Sequence, residues 1–384
     1  MKLKEEFPRT KKGIYFDTAV MGLLPQSTIN VVEQYTKELV DDLKGKTVAE
    51  GGMRKWEERK ANSKKLFAQV IGATEGEIAF VPNCTTGVNT VLSMIPIKPG
   101  SNIVSTDLLF PMGTVALNQH RKGAELRFLK ARNGILETRD FEKAIDDKTA
   151  IVYLDQPAWF NGLLFDIKAI AELAHNHGAL LVVDATQSFG VLKWDIDHSG
   201  IDFAATSNYK WVMGGTWSTS AGYMYINSRH VDTLSPTYVT AASVERTQIA
   251  DSAKGHTQYE FKPRTGIRRF EVYSRSELSY VTVENSLKVL LEHELQEIED
   301  HVKKLDTRLV DGLLAQGREL QTPHEEERRI FLNVKVPDPA KTVKELASRS
   351  ITVSARVGGV RISPHFYNKE QEVDQFLDVF SNLS

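Results

Sequence analysis

The stretch "IDFAATSNYKW", residues 201–211, runs from an apolar segment directly into a lysine set between two aromatic rings. Alternating and near-continuous apolar residues over 202–207 read as a buried strand. Lysine ends normally stay in water, because burying an unpaired ammonium is costly. A strand that delivers Lys210 into a turn therefore leaves two readings. The side chain snorkels to solvent, or its amine is partly buried, loses proton affinity and serves as a nucleophile toward a carbonyl.

Working outward, the same kind of run recurs at 78–81, 102–106, 126–130, 150–155, 179–184 and 222–226. Helical patterns lie between several of them. In "IKAIAELAHNHG", Ile167, Ile170, Ala171 and Ala174 share one face, and Gly178 supplies a C-terminal stop. Near-continuous apolar strands separated by helices predict an α/β fold, with a mostly parallel central sheet and helices on both faces. The segment 237–264 is polar and turn-rich and is expected to cross the surface or an interface. A long helical pattern over 276–314, interrupted once, leads to strand-like runs "RIFLNVKV", "ITVSARV" and "GVRIS" and a closing amphipathic helix in "KEQEVDQFLDVFSNL". That is a smaller α+β unit. The expected division is a large domain over 20–265 and a small domain made of 1–19 and 266–384.

A chain of 384 residues is long enough for this division. With 41% hydrophobic and 26% charged residues it has an ordinary globular composition. A formal net charge of -2 offers no electrostatic case for nucleic acid or an anionic membrane. The single cysteine, Cys84, excludes an internal disulfide and a thiol-rich metal site. The opening residues lack the apolar run of a signal peptide, and no apolar stretch approaches a membrane span, so a cytoplasmic location is expected.

In open α/β sheets ligands bind beyond the carboxyl ends of the strands. Three strand ends carry suggestive chemistry. "VVDATQ" places Asp184 and Gln187 there; the acid serves either as a helix N-cap or as a semi-buried carboxylate for a cationic ring nitrogen. "TSNYK" places Ser207 and Lys210 one strand later. "NCTTGVN" puts Thr85 and Thr86 where a strand hands over to a helix, as simple N-caps or as an anion site of hydroxyls and backbone N–H groups. A phosphate cradle, an acid and then a lysine are together what pyridoxal 5′-phosphate requires. No glycine-rich dinucleotide fingerprint follows the first strands.

With these segments in view, the chain resembles the class V aminotransferases of the fold-type I pyridoxal-phosphate enzymes, which include cysteine desulfurases, isopenicillin N epimerase, kynureninase and carbon–sulfur lyases. "IYFDTAVMGLLPQS" resembles their opening "YLDNAATTPLP", "NCTTGVN" their "RNTTEGLN", and "VVDATQSFG" and "SNYKWVMG" their "VDGAQ" and "S-x-x-K" segments. "RRFE" near Arg268 and "VRISPHFYNKEQEVDQF" near the end are also alike. The resemblance implies a pyridoxal-phosphate enzyme in which Lys210 forms the Schiff base and later moves the Cα proton. Asp184 would hold the ring nitrogen protonated and Gln187 would reach the phenolic oxygen. Thr85, Thr86 and Ser207 would hold the phosphate. Tyr209 stands where many members carry a histidine that contacts it. Ser274 falls near a threonine that reaches the phosphate from the partner subunit, so a homodimer is implied. Arg361 would pair with the substrate carboxylate. Phe110, in "TDLLFPMG", would stack on the cofactor, or else belong to the core. Trp159, with Phe160, would form an apolar wall for an amino-acid substrate, or else pack an interface; Trp217 would project toward the entrance or the interface.

The chain departs from cysteine desulfurases in one respect. Their nucleophilic cysteine sits on a loop before the carboxylate-binding arginine, and here that region, "ITVSARVGGVRIS", has none. A carbon–sulfur or Cβ lyase or an aminotransferase is therefore the expected activity. An epimerase, a desulfurase without the usual loop and a non-catalytic binding protein are the alternatives, the last opposed by the joint presence of lysine, acid, glutamine and arginine.

Overall fold

The structure is a computed structural model that describes residues 3–42, 54–240, 243–245, 262–271 and 276–383. The strands are β1 (Ile14–Tyr15), β2 (Ile78–Val81), β3 (Asn102–Thr106), β4 (Glu125–Leu129), β5 (Thr149–Asp155), β6 (Leu180–Asp184), β7 (Phe203–Ser207), β8 (Gly222–Ile226), β9 (Leu332–Lys335), β10 (Ile351–Thr352), β11 (Ser354–Arg356) and β12 (Gly359–Ile362). Each of the seven strands read from the first two thirds of the sequence forms, within a residue at either end. They make one seven-stranded sheet in the order β2-β8-β7-β6-β5-β3-β4. Only β8 runs against its neighbours; the other adjacent pairs are parallel.

Both faces of this sheet are covered, and the side-chain alternation shows it. On β5, Val152 and Leu154 belong to one core, while Ile151 and Tyr153 belong to the other; on β6, Leu181 and Val183 oppose Val182 in the same way. Helix Ile167–Asn176 covers the first face with the four residues read as its apolar stripe, all buried, and Gly178 follows at φ 73°. Helices Cys84–Met94 and Pro111–His120 cover the second face through Val88, Val91, Leu92, Ala116 and Leu117. Gly87 lets the first of them lie close: a Cβ there would come within 2.8 Å of the Ala205 Cβ on β7.

The chain beyond β8 builds the smaller α+β arrangement. Helices Glu277–Leu291 and Leu295–Ala315 replace the long helical pattern, with the single expected break between them. β9, β11 and β12 form an antiparallel sheet in the order β11-β12-β9, and helix Glu370–Ser381 closes the chain. "ITVSARV" does not form one strand. It divides into β10 and β11, because β10 pairs in parallel with β1 of the N-terminal arm while β11 pairs with β12. Segment 237–264 lies mostly outside the described residues. Among the described residues, no helix is long and apolar enough to cross a membrane.

The N-terminal arm goes on from β1 to the turn that carries the lysine. The Gly22 N–H donates to the Tyr209 carbonyl at 2.9 Å. A Cβ on Gly22 would lie 1.9 Å from the Lys210 carbonyl oxygen, which is backbone and cannot swing aside. Replacing Gly22 with Ala therefore forces the arm off the lysine turn. The expected loss is about 1–3 kcal/mol, the usual cost of overpacking. Denaturant unfolding of Gly22→Ala should show a lower midpoint, and a midpoint equal to the parent would contradict this close packing.

Candidate active site

Residues at the carboxyl ends of β5, β6 and β7 lie side by side. The register places Asp155 opposite Asp184 and Asp184 opposite Ala205. Side chains at paired positions point to the same face, so Asp155, Asp184 and, two residues past Ala205, Ser207 all turn toward helix Cys84–Met94. Between these strand ends and that helix is a pocket open to solvent at its mouth. Of the residues singled out in the sequence, Thr85, Phe110, Trp159, Asp184, Gln187, Ser207, Tyr209 and Lys210 line it.

Lys210 reaches the pocket from the turn after β7. Its Nζ lies 6.0 Å from the Phe110 ring centroid and 5.7 Å from that of Tyr209. Burial first, and then the Arg361 guanidinium, push its pKa down to about 8, with Asp184, Cys84 and Asp155 opposing. The next residue anchors the turn. Trp211 is fully buried, stacks on Phe331 and donates its indole N–H to Gln187 Oε1 at 2.7 Å. That bond orients the Gln187 amide, whose Nε2 donates to the Ala19 carbonyl at 3.1 Å. An NH₂ group has two protons, so one donor of Gln187 is left for a ligand.

Ser207 Oγ accepts the Cys84 N–H at 2.9 Å, tying the end of β7 to the start of the helix. Asn83 is the N-cap: its Oδ1 accepts both the Thr86 N–H at 2.9 Å and the Thr86 hydroxyl at 3.1 Å. Thr86 is thereby turned to its own cap and is absent from the pocket lining, unlike Thr85. Asp184 Oδ1 accepts the Thr186 N–H at 2.9 Å and closes a tight turn; residues 186–188 form a turn and not a helix, so the N-cap alternative is not realised and the side chain faces the pocket.

Phe110 is 40% exposed, which settles against its being core. Trp159 meets it edge to face at 5.4 Å and donates its indole N–H to the Leu109 carbonyl at 3.0 Å. Arg361 lies just beyond this wall. It is 2% exposed, and its Nη1 donates to the Trp159 carbonyl at 2.7 Å. Its Nε is buried with no hydrogen-bond partner. Burial pulls its pKa down to about 9, with Asp17 opposing. A guanidinium held so dry, with a donor to spare, suits an anionic ligand. Trp217 is 38% exposed and does not line the pocket. Ser274 lies outside the described residues.

Several lining residues escaped the sequence reading, among them Tyr153 and Asp155. Asp155 left a signal: "AIVYLD" and "ALLVVD" both end an apolar strand on an aspartate.

The family model of the class-V aminotransferases matches residues 14–376. The chain belongs to that family. It is accordingly a pyridoxal-phosphate-dependent enzyme. It is 26% identical to a probable cysteine desulfurase of Pyrococcus abyssi, over 99% of this chain and 96% of the relative. It is 25% identical to an uncharacterized aminotransferase, YcbU, of Bacillus subtilis, over 81% and 80%. Among solved structures, the complex of the cystine C–S lyase C-DES with its product cysteine persulfide superposes with a TM-score of 0.86 at 20% identity, covering 98% of this chain and 100% of the lyase. A mutant of C-DES has been solved with glycine covalently linked to the pyridoxal-phosphate cofactor.

The residues present fit that cofactor. The pocket offers an amine of lowered basicity, a carboxylate at a strand end and a helix N-terminus, and the buried Arg361 donor lies beside it. An amine with a pKa near 8 is roughly a tenth uncharged at pH 7, against about 0.04% for an ordinary lysine. Only the uncharged amine attacks an aldehyde. Covalent capture of pyridoxal phosphate by the apoprotein should therefore speed up as pH rises through 8 and level off above about pH 9. Stopped-flow absorbance follows this; a rate still climbing tenfold per pH unit at pH 9.5 would indicate an amine of ordinary basicity.

Proposed function

We propose that this chain acts on the amino group and Cα of an α-amino acid, best read as a carbon–sulfur or Cβ lyase, with transamination as the second reading. The Lys210 amine carries the proposal: it opens into a polar pocket and, among the described residues, meets neither a hydrogen-bond nor an ion-pair partner. Bound pyridoxal phosphate supplies an aldehyde for the amine and an electron sink for the charge left at Cα.

The side chains divide the remaining work. Lys210 Nζ holds the cofactor and then takes the Cα proton, being neutral enough to do so near pH 8. Asp184 would serve the ring nitrogen of the bound cofactor and hold its proton in place. The spare Gln187 donor serves the phenolic oxygen. Ser207, Thr85 and the helix start serve the phosphate, with Tyr209 beside them. Phe110 would cover the cofactor ring and exclude water there, but a phenyl ring exchanges no proton. Arg361 receives the substrate carboxylate through its free Nε, and Trp159 walls the space between Phe110 and Arg361. Desulfuration through an enzyme persulfide lacks a carrier. Cys84 is buried, its Sγ points at the Ala205 carbonyl at 3.4 Å, and burial pushes its thiol pKa up. The second reading rests on the aminotransferase relative.

We further propose a homodimer completed near Ser274, with the exposed side chains of Phe110, Met112 and Val115 beside the pocket covered by the partner. The division into 20–265 and 1–19 with 266–384, and a cytoplasmic location, belong to the same proposal.

Wild-type protein with pyridoxal phosphate should develop a visible absorption band that borohydride reduction fixes to Lys210. Lys210→Ala should lose both the fixation and all turnover. Arg361→Lys, which gives up the planar fork, should lose at least about tenfold in kcat/KM for amino acids. A lyase releases ammonia and a 2-oxo acid with no added acceptor, whereas a transaminase requires one. Turnover only when a 2-oxo acid is supplied would overturn the lyase reading in favour of the second. Sedimentation of a fully active monomer would overturn the dimer.

A further inference from the structure

Asp155 has no role in the proposal above, yet it is one of the most constrained acids in the molecule. Its carboxyl is buried at the end of β5, directly opposite Asp184 in the parallel register, and it lines the same pocket. One oxygen, Oδ2, accepts the Phe110 N–H at 2.5 Å. That N–H opens helix Pro111–His120, with Phe110 as its N-cap residue. The other oxygen, Oδ1, is buried and has no hydrogen-bond partner. An unpaired buried oxygen costs more on a charged carboxylate than on a neutral carboxylic acid.

Two carboxyl groups on adjacent strands and turned to one face, with Asp155 buried and Asp184 partly so, do not both ionise readily. Asp184 has a backbone donor, the Thr186 N–H, and a pocket-facing role. Asp155 has the Phe110 N–H on one oxygen and nothing on the other. We propose that Asp155 is a neutral positioning residue of the cofactor pocket: its carbonyl oxygen holds the Phe110 turn, and its Oδ1–H is a proton kept beside Asp184. The pocket floor then carries one negative charge, matching one cationic ring nitrogen. This rests on the pyridoxal-phosphate reading.

The charged and titratable groups around Asp155 agree with it. Asp184 on β6 disfavours a second charge, and burial does so more strongly. Lys210, from the turn after β7, is the one cation facing it among the described residues, and the amine is itself of lowered basicity. Cys84, from helix Cys84–Met94, and Tyr153, on β5 itself, both face it as neutral groups whose own ionisation it discourages.

Asparagine is the isostere of a protonated aspartic acid, with a carbonyl oxygen for the Phe110 N–H and a donor in place of Oδ1–H. Asp155→Asn should therefore bind pyridoxal phosphate within about threefold of wild type, and the pH titration of its visible band should stay within about 0.3 unit. Asp155→Ala loses the clamp on Phe110 and should hold the cofactor about tenfold less tightly, so that Asn rescues what Ala loses. If Asp155 were ionised, Asn would remove a buried negative charge and make the cationic form of the bound cofactor harder to keep. The band would then titrate about one unit or more lower in Asp155→Asn, which overturns the proposal. Equal cofactor retention in Asp155→Ala and wild type overturns the clamp. A wild-type protein that develops no visible band sinks the pyridoxal-phosphate reading itself, and this inference with it; a normal wild-type band with a shifted Asp155→Asn band sinks only this one. Thermal unfolding of both variants separates a lost fold from a lost contact.

Discussion

Parallel pairing of β5, β6 and β7 is the constraint on which the site depends. Parallel strands end together, so their last side chains form one row, and register decides which of them face the same way. Here the row is Asp155, Asp184 and Ser207, and all three turn toward the helix that starts at Cys84. A slip of one residue in any pairing would send a carboxyl to the opposite face, among Leu181, Val183 and Val152. The apolar alternation that fills both faces therefore also aims the polar ends.

The lysine turn is held from outside the sheet as well. Gly22 in the N-terminal arm donates to the Tyr209 carbonyl. From the far end of the chain, His365 Nε2 bonds to the Trp211 carbonyl at 3.0 Å. Burial pushes the His365 pKa down to about 3, so the ring is neutral and Nε2 donates. Residues 22 and 365 thus grip the backbone on either side of Lys210. A flexible four-carbon side chain becomes a positioned nucleophile only when its backbone is fixed in this way.

Much of this was legible in the sequence, because it rests on local pattern. Seven apolar runs became seven strands, and the stripe Ile167, Ile170, Ala171 and Ala174 became a buried helix face. Lys210, Asp184, Gln187 and Ser207 could be placed since each directly follows or ends such a run. What stayed hidden depends on pairings that no local pattern encodes. "ITVSARV" splits because its first half pairs with a strand more than 300 residues earlier in the chain. Thr86 turns to its own N-cap, Asn83, a bond set by the helix start and not by composition. Asp155 reads as the last residue of an ordinary strand until its register with Asp184 is known.

The pocket also constrains which reactions its residues can direct. Above the floor, Phe110 and Trp159 form an apolar cover, and neither exchanges a proton. Tyr209 is raised in pKa by burial and by the nearby Asp184, so its phenol stays protonated through neutral pH. Lys210 lines the pocket with a pKa pushed down to about 8, which suits proton transfer near neutrality. One base serving one face of Cα fits elimination and transamination, in which a single group moves every proton. Neither residue of that cover can donate or accept a proton, so the choice of a few side chains narrows what one shared scaffold can direct.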